Sequence, residues 1–275
     1  MVTKRSRGLS RDKTKHAEAD MKMKKIKDLF YFAYHQSLSC IFPVVIFITL
    51  ALSKTINIPG FARYDFILVI CLIAQFLMYK FKFETKDEMK VILLFHIIGL
   101  VLEIYKVNFN SWSYPEEAMT KVFGVPLYSG FMYASVASYI CQAWRRFNLK
   151  MYCWPTSYFT ITLGLMIYGN FFTHHFIYDF RWVLTILLFI VFARTYVKFT
   201  VRKTTYKMPI IFSFFLIGFF IWIAENIATF FGAWQYPNQA VTWQLVHVSK
   251  ISSWFLLVVI SIMIVAQLKQ IYRNT

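Results

Sequence analysis

The chain has 275 residues, of which 58% are hydrophobic, 20% aromatic and only 16% charged. A soluble domain needs about a quarter of charged residues to cover its surface, so this composition excludes both a soluble globular domain and a disordered chain. The 30 Lys and Arg residues outnumber the 13 Asp and Glu residues. They collect in short segments between apolar runs, as loops beside an anionic membrane surface do, so we expect no nucleic-acid binding.

Eight apolar runs are each close to the length of about 20 residues that one helix needs to cross a bilayer. The runs lie at roughly 32–53, 64–81, 89–109, 127–144, 155–173, 180–198, 209–230 and 247–268. The sequence therefore predicts an all-α fold, a polytopic integral membrane helix bundle with eight transmembrane helices. Residues 1–28 precede the first run and hold ten Lys and Arg residues. No small-residue cleavage site follows the first run, so we expect that run to be an uncleaved span. Residues 1–28 are then predicted to be a basic cytoplasmic N-terminal segment.

The loops between the runs differ in charge according to which end of the bundle they join. Alternate loops and the two termini carry 24 Lys and Arg residues, whereas the intervening loops carry five. Positive residues stay on the cytoplasmic side. This predicts a multi-pass protein of the bacterial cytoplasmic membrane with both termini in the cytoplasm, in contact with membrane lipids.

The pattern Glu-x8-Trp-x-Tyr-Pro occurs twice, from Glu103 to Pro115 and from Glu225 to Pro237, with an offset of 122 residues. The centres of the first four runs recur at nearly the same offset in the last four. Four helices between the copies give them the same orientation, which predicts two parallel repeats about an axis normal to the membrane. The predicted repeats are residues 29–150 and 151–275, and a chance match of four residues is the alternative.

Polar residues cluster at the predicted outer end of the helices. Glu103 and Glu225 lie roughly 8 Å below the outer surface at 1.5 Å per residue, where an unpaired carboxylate is costly. The candidate catalytic residues at this level are Glu103, Glu225, His174, His175 and Asp179. The candidate substrate-binding residues are Lys106, Trp112, Tyr114, Glu116, Tyr128, Arg181, Asn226, Trp234, Tyr236, Gln239 and Lys250. We expect the polar groups to converge on one cavity open to the outer side, with the paired Trp and Tyr residues as its roof.

Each of these features also has a purely structural interpretation. Glu103 and Lys106 lie three residues apart on one helix face and are able to neutralise each other. The Trp-x-Tyr-Pro segments suit an aromatic belt at the membrane surface, and Lys250 is able to extend towards water. His174 and His175 point apart on a helix and would bind a metal only with Asp179 or a glutamate. We therefore predict no metal site, and the absence of nucleotide-binding or hydrolase motifs leaves any cofactor unassigned.

Several segments resemble a bacterial integral membrane family, the YoaT-like proteins. They are residues 103–116, residues 124–133, the stretch Phe172-Thr-His-His and residues 225–237. The resemblance covers most of the chain after the basic N-terminus. It implies a bacterial membrane protein and carries no assigned activity. The spacing from Glu to Trp-x-Tyr is also similar to that of membrane carotenoid cyclases and hydratases, over about a tenth of the chain, and this transfers no catalytic residue.

Two functions suit this pattern. A carboxyl group in an apolar setting is able to hold and deliver a proton, and ring faces stabilise a developing cation, which suits an enzyme acting on a lipid or isoprenoid. The same pocket, with Lys106, Arg181 and Lys250, suits a transporter or binding protein for a small charged solute. The inner halves of the helices have few polar residues to line a path, which favours an enzyme or a receptor over a transporter.

Overall fold

The computed structural model describes residues 3–56 and 58–271, and most of them are helical. Residues 1, 2, 57 and 272–275, which belong to the predicted segments, lie outside the described residues. The helices are α1 (Thr3–Ser39), α2 (Ile41–Leu52), α3 (Arg63–Lys80), α4 (Lys86–Asn108), α5 (Ser129–Arg146), α6 (Ser157–Thr173), α7 (Arg181–Phe192), α8 (Ile210–Phe230) and α9 (Lys250–Ile271). A short 3-10 helix, Pro237–Gln239, lies between the last two.

Short strands accompany the helices, which the all-α prediction did not include. They are β1 (Lys121–Val122), β2 (Val125–Pro126), β3 (Lys150–Tyr152), β4 (Tyr196–Val201) and β5 (Thr204–Pro209). Strands β1 and β2 form one antiparallel pair, and β3, β4 and β5 form an antiparallel sheet in that order. Helix α7 ends before β4, so the predicted run 180–198 is partly extended. Its last residues are aromatic and β-branched residues alternating with Lys, a pattern that suits a strand.

Three of the described helices are long and apolar enough to cross a membrane: α4, α8 and residues Lys250–Gln267 of α9. A fourth crossing is available if Asp20–Ser39 and α2, which meet at 63°, act as one bent span. Pro43 lies in the first turn of α2 and cannot donate a hydrogen bond to Ser39, which accounts for the break.

The other four predicted runs also coincide with helices. However, α6 and α7 have 17 and 12 residues, fewer than the roughly 20 that a bilayer requires. Helix α3 includes Arg63, Asp65 and Lys80 within 18 residues, and α5 is rich in small and polar residues. Eight crossings therefore remain a prediction.

Close helix packing builds the centre of the bundle. Helix α4 lies along α5, and α8 lies along α9. A Cβ atom at Gly99 of α4 would lie 2.4 Å from the ring of Tyr133 on α5, and one at Gly218 of α8 would lie 3.0 Å from the backbone nitrogen of Phe255 on α9. Gly99 therefore lets the Tyr133 ring pack directly against the backbone of α4, and Gly218 lets the backbones of α8 and α9 approach each other closely.

The loops that follow α4 and α8 are bonded to one end of the bundle, which we call the pocket end. It comprises residues 50–56, 58–65, 103–130, 167–181 and 225–254. Arg63 donates to Glu116 Oε1 at 2.7 Å and to the Phe231 carbonyl at 2.6 Å. Asp65 accepts hydrogen bonds from the backbone nitrogens of Met119 and Thr120 at 2.9 and 3.0 Å. These contacts hold both Trp-x-Tyr-Pro segments above the helix ends.

Candidate functional site

A cavity with a volume of about 90 Å³ lies at the pocket end, between the last turns of α4, α6 and α8 and the first turns of α7 and α9. We call it the polar cavity. The sequence-predicted site residues that line it are Lys106, Trp112, His174, Arg181, Glu225, Tyr236 and Lys250. Glu103, His175 and Asp179 lie directly beside this lining through their hydrogen bonds to it.

The sequence analysis did not select six polar or aromatic residues of the lining as site residues. They are Ser111, Tyr133, Asn170, Phe171, Ser253 and Trp254. A signal for two of them was present in the repeat pattern. Tyr133 follows Glu103 by 30 residues and Trp254 follows Glu225 by 29, so a comparison of the two predicted copies beyond the Pro residues would have paired them.

Glu225 is the carboxyl group that lines the polar cavity directly, although its side chain is only 3% exposed. The hydroxyl of Tyr236 donates to its Oε1 at 2.5 Å, and Nε1 of Trp254 donates to its Oε2 at 2.7 Å. Both donors also line the cavity. The carboxyl group is therefore fixed in orientation by neutral donors, one from the loop after α8 and one from α9.

Glu103 lies behind the lining and accepts three hydrogen bonds from neutral donors. Nε1 of Trp112 and the hydroxyl of Tyr114 donate to Oε2 at 2.6 and 2.8 Å, and the hydroxyl of Tyr133 donates to Oε1 at 2.8 Å. Among the ion pairs of the described residues, none joins Glu103 to Lys106. The alternative in which these two residues neutralise each other is therefore wrong.

The two Trp-x-Tyr-Pro segments contact each other directly. Ser113 and Gln235, which are 122 residues apart, exchange both backbone hydrogen bonds at 2.9 Å as an isolated antiparallel bridge. Beside this bridge the rings of Trp112 and Tyr236 meet edge to face, with their centroids 5.9 Å apart. Two of the four aromatic residues expected as a roof thus close the polar cavity together.

Three cationic side chains line the polar cavity, each with a different set of contacts. Nζ of Lys106 donates to the Phe171 carbonyl at 2.8 Å and lies 3.2 Å from Nε2 of His175. Arg181 forms an ion pair with Asp179 at 3.0 Å. Nζ of Lys250 lies over the rings of Tyr236 and Trp112, at 4.7 and 5.6 Å from their centroids.

Lys250 differs from the other two cations in having no polar partner for its ammonium group. Within residues 3–56 and 58–271, no hydrogen-bond acceptor and no carboxylate oxygen lies within contact distance of its Nζ. Ring faces attract a cation but do not accept its three hydrogen bonds. The ammonium group therefore faces the cavity with its donors free for a ligand or water.

The loop after α6 supplies the titratable groups at the rim. Burial, together with the nearby Lys106, lowers the pKa of both His174 and His175. Burial alone would raise the pKa of Asp179, but hydrogen bonds from Asn170 and the Arg181 backbone leave it below its usual value. At neutral pH the histidines are therefore uncharged and Asp179 is ionised. In the described part of the chain, no cluster of three His, Cys, Asp or Glu side chains is placed to hold a metal ion.

The remaining predicted site residues lie outside the cavity lining, where their polar atoms make structural contacts. Glu116 pairs with Arg63, and the hydroxyl of Tyr128 donates to the Ala233 carbonyl. Asn226 accepts from the Val246 nitrogen at 2.8 Å. The others in this group are Tyr114, which donates to Glu103, Trp234, which packs on the core, and Gln239, which accepts from the Tyr236 nitrogen and donates to the Gln244 carbonyl.

A second cavity, of about 30 Å³, adjoins the polar cavity on the side of the helix centres, and we call it the apolar cavity. The two share Tyr133, Trp254 and Leu257 as lining residues. The rest of the second lining is almost entirely apolar, with residues such as Phe95 and Ile221. A cavity lined by charged and polar groups therefore lies next to a small apolar one.

Comparison with known proteins finds one matching family and one similar protein. Residues 28–262 match the family described as "Protein of unknown function (DUF817)". The chain is 57% identical over 253 residues to "Uncharacterized protein YoaT" of Bacillus subtilis (strain 168), which covers 92% of this chain and 96% of the relative. The similarity to carotenoid cyclases and hydratases is not shown by these comparisons.

No solved structure is significantly similar to the chain. The match over residues 28–262 extends from the end of α1 to the middle of α9 and thus includes both glutamates and all residues of the polar cavity. The resemblance to the YoaT-like proteins is confirmed by the 57% identity. The chain belongs to the DUF817 family of proteins of unknown function.

Proposed function

We propose that this protein is a multi-pass enzyme of the bacterial cytoplasmic membrane. It performs acid/base chemistry on a lipid or isoprenoid at the outer face of that membrane. The observation that carries the proposal is the position of Glu225, a buried carboxyl group that lines the polar cavity next to the apolar one. A substrate that combines a polar head with an apolar part would contact both cavities.

Glu225 is the proposed proton donor or acceptor. A carboxyl group in a low-dielectric site holds a proton more readily than one in water. Tyr236 and Trp254 fix its orientation, which brings the proton to a defined position. Glu103 interacts electrostatically with Glu225 but does not line the cavity. It acts as a positioning residue, because it holds Trp112 and Tyr133 in the lining.

The proposed architecture has eight crossings, both termini in the cytoplasm, and two four-helix repeats at 29–150 and 151–275 after the basic segment 1–28. Support comes from helices α4 and α5, which recur as α8 and α9 at an offset close to 122 residues. The reciprocal bridge between Ser113 and Gln235 also supports it, because a two-fold axis relates such a pair.

Transport or binding of a small charged solute is the second candidate, and the three cationic side chains around the polar cavity favour it. The neighbouring cavity is lined almost entirely by apolar side chains, and a charged solute would cross this region only at a high cost in desolvation. We therefore prefer a function in which the apolar part of the ligand occupies the apolar cavity.

The test compares lipid extracts of wild-type cells, a deletion strain, and deletion strains that express variants, by mass spectrometry. Glu225→Gln preserves the packing, since the amide oxygen is able to accept from Trp254 while the amide nitrogen donates to Tyr236. It removes the proton transfer, which contributes about 10²–10⁴-fold to catalysis. The exposed loop residue Glu117 provides the matched control, Glu117→Gln.

We expect the Glu225→Gln strain to accumulate the same lipid species as the deletion strain, and the Glu117→Gln strain to match the wild type. The enzyme proposal is abandoned if the deletion leaves every lipid species unchanged, or if Glu225→Gln restores the wild-type lipids at equal membrane expression.

A further inference from the structure

We infer that the polar cavity binds a phosphate-type anionic group, with Lys250 as its principal contact and Arg181 and Lys106 beside it. This inference rests on the proposed function only for the apolar chain attached to that group. The anion site itself follows from the charges and hydrogen bonds around the cavity, described below.

The three cationic side chains are close enough to repel one another, in each of their three pairings. The cost of that repulsion falls when a multiply charged anion lies between them. Phosphate oxygens accept several charge-assisted hydrogen bonds at once, and Lys and Arg are the side chains that bind them most often. A site that gathers Lys106, Arg181 and Lys250 is thus suited to such a group.

The nearby glutamates attract Lys250, Glu225 more strongly than Glu103, but neither pairs with it at contact distance. Both oxygens of Glu225 accept from Tyr236 and Trp254, and both oxygens of Glu103 also accept from neutral donors. Neither glutamate forms an ion pair within the described chain. Only Arg181 has a carboxylate partner, Asp179.

Lys250 is the cation of the polar cavity whose ammonium group lacks hydrogen-bond acceptors among the described residues. Its ammonium group lies over two rings of the lining, and no hydrogen-bond acceptor is within contact distance among the described residues. An ammonium group taken out of water without acceptors is costly. An anion in the polar cavity supplies the missing acceptors, and Ser253, also in the lining, offers a further hydroxyl.

The position of the site next to an apolar cavity indicates where the phosphate comes from. The two cavities share Tyr133, Trp254 and Leu257 as lining residues. At about 30 Å³ the apolar cavity is small, so it has room only for the part of an apolar chain nearest the phosphate. A lipid or isoprenyl phosphate contacts both cavities, whereas free inorganic phosphate occupies only the first.

The test measures binding to the full-length protein purified in detergent, with three probes that differ in one feature each. Farnesyl phosphate has both the phosphate and the chain, farnesol has only the chain, and inorganic phosphate has only the anion. Binding of farnesyl phosphate, and its competition by the other two, is followed by the quenching of tryptophan fluorescence. The variants are Lys250→Gln, Lys250→Arg and the control Lys121→Gln, whose ammonium group bonds the Tyr114 carbonyl away from the cavity.

We expect Lys250→Gln to weaken the binding of farnesyl phosphate by about tenfold or more, as the loss of a charge-assisted hydrogen bond does. Lys250→Arg should restore most of the affinity, and Lys121→Gln should leave it unchanged. Farnesol should bind at least about tenfold more weakly than the phosphate. Equal affinity of farnesol and farnesyl phosphate, or equal affinity of Lys250→Gln and Lys121→Gln, would overturn the inference.

Competition by inorganic phosphate as strong as that by farnesyl phosphate would support the anion site and assign it to a free anion. Binding is measured without turnover, so this experiment is independent of the lipid extracts. If Glu225→Gln loses turnover but Lys250→Gln binds farnesyl phosphate as tightly as the wild type, only the anion site is overturned. Phosphate binding that depends on Lys250, with unchanged lipids in the deletion strain, would overturn only the enzyme.

Discussion

Replacing Glu103 with Leu tests whether its carboxyl group organises the pocket end as a hydrogen-bond acceptor. The substitution leaves Trp112, Tyr114 and Tyr133 without the oxygens to which they donate, and each buried donor without a partner costs about 1–3 kcal/mol. We expect the free energy of unfolding to fall on the order of 3–6 kcal/mol, because relaxation and the apolar Leu side chain offset part of the sum.

Glu103→Gln is the matched variant, because it keeps an acceptor in the same place. The amide oxygen is able to replace Oε2 and accept from Trp112 and Tyr114, while the amide nitrogen donates to the Tyr133 hydroxyl. We expect a loss of only about 1 kcal/mol. Reversible unfolding in detergent micelles with increasing dodecyl sulfate measures both variants. A Leu variant within about 1 kcal/mol of the wild type, or a Gln variant as unstable as the Leu variant, would refute the reasoning.

Two further predictions follow from packing and from charge. Gly99→Ala should lower the free energy of unfolding by about 1–3 kcal/mol, since the new Cβ atom would lie 2.4 Å from the Tyr133 ring; an unchanged unfolding midpoint would contradict this close approach. Burial and the charge of Lys106 lower the pKa of His174, although the charge of Asp179 has the opposite effect. The unfolded state therefore binds a proton at higher pH than the folded state does. The folded state should lose stability as pH falls through the unfolded histidine pKa of about 6.5. Melting temperatures at pH 7.5 and 5.5 should show this loss, and His174→Gln should reduce it; a variant with the same pH dependence as the wild type would exclude His174 as its source.

The apolar character and the helix positions were accessible from the sequence, because both depend on local properties. An apolar run has to leave water wherever it lies in the fold, and each of the eight predicted runs contains a helix. The strands at 121–126, 150–152 and 196–209 were not predicted. Short extended segments of this kind depend on pairing with distant residues, as β3 pairs with β4, and local composition does not specify the partner.

That both glutamates have hydrogen-bond partners was also accessible, because a carboxyl group deep in an apolar run requires a partner whatever the fold. Which partner it takes was not accessible. Spacing along α4 favoured Lys106 for Glu103, yet the structure pairs the carboxyl group with Tyr133 on α5 and Lys106 with the Phe171 carbonyl on α6.

The sequence by itself thus determined that this protein is largely helical, apolar and rich in positive loops, and that polar residues gather towards one end. Only the tertiary structure decided which of them line a common cavity. Glu225, Arg181 and Lys250 come from three different helices, whereas Asn226, next to Glu225 in the chain, bonds the Val246 nitrogen instead. On a helix, adjacent residues point about 100° apart, so the direction of each neighbouring helix decides which side chain reaches the cavity.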